Sequence, residues 1–334
     1  MKSPTLATVV GWLALTTTVT ARPVTNIGPG QTVTDPSFND EIVNLNGGTI
    51  ISNGLFGAGG SITDGVLNIN SGSITDGFTS FNSIINLNGG TLGEFIANEE
   101  NIITGEVGEI NISGGSIGSF GLFDGVTSTI TGGQVLRFPD VFAGSTVNIF
   151  GGDLFSVRLV NPTATANFFG SQFALNGTPI EIALGQTLNV TPATGENFTA
   201  TLADGSAFEF DLNPVGPFGG TNPDQTSPGS IITITLTPIN GDFNADGLVN
   251  AADFTVARDL LGITTVAPFA GGDGDGDQLV TAADIAIFAE RFGETEGPSS
   301  AASTALSTLG VPEPTSGALL LLGMLVGNSR RRRQ

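Results

Sequence analysis

The chain has no cysteine and no histidine, and only 10 of its 334 residues are lysine or arginine. Without cysteine there is no disulfide framework and no thiol chemistry. Ser-His and Cys-His nucleophile pairs are excluded, as is a histidine-based zinc site. Stability must come from packing, backbone ladders and bound ions. The shortage of cations leaves a formal charge of −21. Such a chain has no means of binding nucleic acid by counterion release. Half of the 10 basic residues, Lys2 and Arg330 to Arg333, sit at the two extreme ends. Between them the protein is more acidic still. No terminal apolar run approaches the roughly 20 residues that a membrane-spanning helix needs.

Both ends read as addresses. Lys2, the short apolar run from Leu6 to Leu15 and the small residues around Val19 to Ala21 form a three-part signal peptide over residues 1–21. The mature chain would then begin at Arg22 and be exported. At the other end, Pro312-Glu313-Pro314 precedes an apolar run from Gly317 to Gly327 and then the arginine cluster. Such a run rises only about 16 Å as a helix, against a hydrocarbon core of about 30 Å. Residues 311–334 resemble a PEP-CTERM sorting signal. The resemblance implies recognition and cleavage by an exosortase-type enzyme in a Gram-negative-type bacterium that exports polysaccharide. It places the mature protein at the cell surface or in the extracellular matrix, with membrane contact only through the transient tail. An ordinary C-terminal anchor is the alternative.

Residues 22–175 carry a degenerate repeat. Its units begin at Val43, Leu67, Ile85, Ile110, Ser128, Val147 and Ala166, spaced by roughly one solenoid rung. Within each unit apolar residues alternate, as in Val43 and Leu45 or Ile85 and Leu87, so one strand face packs inward. Between them recurs an outward asparagine: Asn44, Asn68, Asn86, Asn111, Asn148 and Asn167. Stacked rungs would bring these amides within bonding distance of one another. A Gly-Gly pair supplies the bend after the strand. Phe56, Phe78, Phe81, Phe95, Phe120, Phe123, Phe142 and Phe155 supply further inward-stacking rows. The expected fold is mainly β: a right-handed parallel β-helix with a β-rich cap over 176–238. An antiparallel sandwich would give frequent turns too, but not one motif recurring in register. Residues 296–310 read as a linker.

Between cap and linker lie two acidic loops. The first places oxygen side chains at Asp242, Asn244, Asp246, Asn250 and Asp253, the second at Asp273, Asp275, Asp277, Thr281 and Asp284. This spacing lets a twelve-residue loop wrap a hard cation, with the backbone carbonyls of Leu248 and Leu279 as further ligands. Val249 and Val280 are apolar and suited to join the two loops by a short β-bridge. Each loop runs into residues at helical spacing: Phe254, Ala257 and Leu261, then Ile285, Phe288, Ala289 and Phe292. Residues 240–295 thus resemble a type I dockerin domain. The resemblance implies two calcium ions (Ca2+) and a cohesin-like or other protein partner. Two departures stand out. Gln278 occupies a turn position that favours glycine. Ala251-Ala252 and Ala282-Ala283 replace the polar pairs with which that family reads its partner, and only Arg258 matches its later basic positions.

With His and Cys absent, catalysis would have to rest on carboxylates. Asp64 and Asp76 sit in twin turn-like copies, and Glu99, Glu100, Glu106 and Glu109 form an acidic cluster between rungs that reads as a solvated loop. Arg137-Phe138-Pro139 begins like the pectate lyase motif, but Phe142 stands where its second arginine belongs. The expectation is therefore no enzyme and no catalytic residue, but a secreted calcium-binding protein with a structural or adhesive solenoid. A polysaccharide lyase, a glycoside hydrolase or a carbohydrate-binding protein on the same scaffold is the alternative.

Overall fold

The computed structural model describes residues 21–53, 59–75, 77–99, 108–123, 125–190, 195–213, 225–265 and 267–295. Of the expected signal peptide 1–21 only residue 21 is among them, and the expected linker 296–310 and sorting tail 311–334 lie outside, as do Phe56, Asp76, Glu100 and Glu106. The side chains of Phe95 and Glu99 lie outside as well. No described helix is long and apolar enough to cross a membrane.

The molecule is mainly β, and its strands join one solenoid-like sheet. Its first ladder stacks Val24–Ile27, Ile42–Ile51, Val66–Ile74 and Ile84–Leu87 in parallel. Glu109–Ile112, Thr127–Ile130, Thr146–Ile149 and Thr165–Leu175 continue it. Pairings align the repeat position by position, as in Ile85 with Ile110 and Leu87 with Ile112. Two shorter parallel ladders form the other sides of each rung. One runs from Thr32–Thr34 to Asp153–Leu154, the other from Ser37–Asn39 to Arg158–Leu159.

The alternating apolar residues point inward and are fully enclosed: Val43, Leu45, Leu67, Ile69, Ile85 and Leu87 are all 0% exposed. Each such side chain contributes roughly 1.5–3 kcal/mol through burial. The asparagines between them form a bonded row. Asn44, Asn68, Asn86 and Asn111 each donate Nδ2 to Oδ1 of the asparagine one rung earlier, at 2.8–3.0 Å. Thr129 interrupts the row, which resumes from Asn167 to Asn148. A second row links Asn88, Asn70 and Asn46. The Gly-Gly turns are forced by stacking: at Gly90, with φ +75°, a Cβ would lie 2.6 Å from the Gly72 carbonyl oxygen.

The aromatic rows are less regular than the sequence suggests. Phe78 and Phe120 are buried, and Phe123 stacks on Phe142 at 4.1 Å. Phe81 and Phe155 are exposed instead, at 37% and 62%, because they fall just beyond the inward positions of their strands. Asp140 is a structural staple. It receives two hydrogen bonds from buried Arg158, whose guanidinium lies over the Phe138 ring. Burial pushes the Asp140 carboxyl above its usual range, although Arg158 beside it pulls the other way.

The parallel ladders continue past residue 175. Ile231–Leu236 adds to the first ladder on Thr165–Leu175, and Gln225–Thr226 adds to the Arg158–Leu159 row. The intervening chain closes this end. Thr187–Val190 covers the last strand in antiparallel sense. Residues Asn197–Leu202 and Ala207–Asp211 form a hairpin against Thr165–Leu175. Phe168, Phe173, Phe198, Phe208 and Phe210 pack beneath it. An edge strand left bare would recruit other chains.

Candidate metal centre

Each acidic loop leads into a short helix, α1 (Ala251–Asp259) and α2 (Ala282–Arg291). The loops and helices share residues. Asn250 and Thr281 are the N-caps, and Asp253 and Asp284 complete reciprocal capping boxes. Four otherwise unpaired N–H groups at a helix start are partly satisfied this way. The sequence carried that signal in the matched Asn-x-x-Asp and Thr-x-x-Asp spacing, unread because the same residues read first as ligands.

Asp242, Asp253, Asp273 and Asp284 are all at most 2% exposed. Asp242 accepts from the N–H groups of Asp246 and Gly247, at 3.1 and 2.7 Å. Asp273 accepts from Gly276, Gln278 and Phe269, at 2.8–3.1 Å. Asp253 ties Asn244 to Asn250. Asp284 ties Gly274 and Asp275 to Thr281. These bonds wind each loop around its own carboxylates. None of the ion pairs among the described residues reaches them.

In the second loop the carboxylate oxygens of Asp273, Asp275 and Asp277 converge to within 4.8 Å of one another. In the first, position 3 is the amide Asn244, which donates to Asp246 at 3.0 Å. Leu248 and Leu279 lie in the loops as expected, and the Leu248 carbonyl accepts from the Asn250 amide at 3.2 Å. Burial pushes Asp242 up to about 6, against the pull of its backbone bonds, with Asp253 and Asp246 adding repulsion. Burial also raises Asp273. Asp275 rises to about 6 by burial, with repulsion from Asp284, Asp277 and Asp273. Buried, mutually repelling carboxylates without a counter-charge are a costly arrangement. The donor set is all oxygen, which suits a hard divalent cation.

Two expectations need correction. Val249 and Val280 do not bridge the loops to each other. Val249 pairs instead with the chain leaving α2, through Gly293 and Glu294, and Val280 pairs with the chain leaving α1, through Gly262 and Ile263. Each loop is thus tied to the exit of the other helix, a two-fold-like exchange that uses the backbone groups freed where the helices end. The apolar helix positions are also less enclosed than expected. Ala257 and Phe288 are buried, but Phe254, Leu261 and Phe292 are 40–60% exposed. Each short helix encloses one apolar side chain beside its buried aspartate.

Among the sequence candidates for catalysis, Asp64 has φ +52° and accepts from Asn82, as turn chemistry requires. Glu109 is exposed. Comparisons with models of protein families, with curated proteins and with solved structures found no match.

Proposed function

We propose that this is an exported calcium-binding protein of the cell surface or extracellular matrix. A right-handed parallel β-helix serves as a rigid structural or adhesive scaffold, and a dockerin-like module of two calcium loops follows it. The observation that carries the calcium reading is the set of four fully buried aspartates with no cationic partner among the described residues. Convergence of Asp273, Asp275 and Asp277 gives it geometry. Calcium would supply the missing positive charge. The protein supplies carboxylate, amide and hydroxyl oxygens from Asp242, Asn244, Asp246, Asn250 and Asp253, and from Asp273, Asp275, Asp277, Thr281 and Asp284. Export, tail cleavage and a protein partner for the module belong to the same proposal and rest on the terminal motifs and the loop resemblance.

Calorimetric titration of chelator-treated protein tests the metal reading. Two calcium ions should bind. Asp273→Asn together with Asp284→Asn should remove one of them. No heat and no shift in melting temperature would refute the reading.

One observation favours glycan binding on the same scaffold. A groove of about 520 Å³ is lined by Ser73, Thr75, Thr91, Ser116, Leu136 and Arg137. The exposed Phe155 lies one rung from Leu136. Hydroxyls, one cation and an apolar platform suit a sugar surface, and no carboxylate lies among the described lining residues. Incubation with acidic and neutral polysaccharides separates the outcomes. Retention of protein by glycan supports binding, shortened glycan chains support cleavage, and the absence of both removes this reading.

A further inference from the structure

Phe269 physically joins the second loop to the solenoid. Its N–H donates to Asp273 Oδ2 at 3.1 Å. Its ring lies so close over Gly276 that a Cβ there would meet it at 2.6 Å. The same ring stacks on Phe150 with centroids 6.2 Å apart, and Phe150 stacks on Phe169 at 3.9 Å. Phe150 belongs to the solenoid, immediately before the Gly151-Gly152 turn.

A second arm reaches the same place. Arg291, the last residue of α2, donates Nη2 to the Asp204 carbonyl at 2.9 Å. Asp204 in turn donates its N–H to the Phe150 carbonyl at 3.1 Å. Its carboxylate accepts from the Gly152 N–H at 2.7 Å and from Ser206. Both arms therefore end on one spot, made of residues 150–152 and the hairpin tip 203–206. Both arise from the second repeat. At the matching positions of the first repeat stand Pro238, four residues before Asp242, and Leu260, seven after Asp253. Neither could make these contacts. The two-fold likeness is broken where the module touches the scaffold.

We propose that the second loop is a latch: a divalent cation held there fixes Phe269 and α2, and so locks the module onto its own solenoid. The inference rests on the calcium reading above. Without a cation, Asp273, Asp275, Asp277 and Asp284 repel one another, and the loop that positions Phe269 loosens. The module is then held only through the strand Ile231–Leu236 and the short segment that follows it.

Hydrogen exchange on the full chain, in calcium and in chelator, tests this. Calcium should slow exchange in both loops and also, by about tenfold or more, at Gly152, Asp204 and Ser206, which hold no ligand position. Phe269→Leu combined with Arg291→Gln, and Phe150→Leu combined with Arg291→Gln from the opposite side, cut both arms and should abolish the remote slowing while leaving that in the loops. Slowing confined to the loops would overturn the latch and leave the calcium reading standing. Remote slowing that survives both variants would overturn it too. Slowing nowhere would overturn both.

Discussion

Ala245 and Gln278 hold main-chain conformations that side chains rarely adopt, at φ +58° and +66°. They occupy the fourth position of the first loop and the sixth of the second. The counterparts, Gly276 and Gly247, take φ +78° and +85°. Each loop thus needs two left-handed residues, and each has glycine at only one. A left-handed non-glycine residue costs about 1–2 kcal/mol, partly offset by the extra freedom glycine has when unfolded. Gln278→Gly should therefore stabilise the protein by up to about 1 kcal/mol and tighten the second site, as read by denaturation in calcium and by titration. A weaker second site in that variant would contradict the strain argument. Protons act at the same loops. Asp242 and Asp275 are raised to about 6, above the unfolded value of about 3.9. A raised carboxyl favours the metal-free fold below the unfolded value, and that advantage disappears as pH rises through about 6. Chelator-treated protein should melt higher at about pH 5 than at about pH 7.5. Calcium affinity should run the other way, because protons and calcium compete for one set of oxygens.

The asparagine row belongs to the scale of elements. Thr129 stands between Asn111 and Asn148 in register and leaves the row in two pieces. Thr129→Asn should join them and raise stability by about 1 kcal/mol. Asn86→Ala should lower it by about 1–3 kcal/mol, since the Asn111 donor and the Asn68 acceptor both lose a partner. Thermal denaturation of the two variants decides; equal effects of one sign would mean that the amides are not bonded in solution. This row was legible in the sequence because one residue type recurs at one strand position, and stacking leaves such residues little choice of neighbour. The convergence of Asp273, Asp275 and Asp277 was legible for a similar reason, a fixed spacing. Pairing of Val249 and Val280 was not, since it depends on where two distant helices end. Nor was the exposure of Phe81 and Phe155, which turns on a one-residue shift at a strand end. Beyond residue 175 the sequence motif fades, yet Ile231–Leu236 still adds a strand, because backbone pairing needs alternating apolar residues and not the Asn-Gly signature.

For the whole molecule, the strands pair along three parallel ladders, and the antiparallel pieces collect at one end. The two-loop module touches that same end, at Phe150 beside the Gly151-Gly152 turn and at the tip of the neighbouring hairpin. Scaffold stability and module docking therefore meet at Asp204. Its carboxylate holds the hairpin to the turn, while its carbonyl receives Arg291. The asparagine row also has a direction. Every amide in it donates to the rung made just before, 18 to 25 residues earlier in the chain. A chain delivered amino-terminus first would find each acceptor already in place, so the solenoid could be laid down like courses of brick, and the covering strands would arrive last to finish the wall.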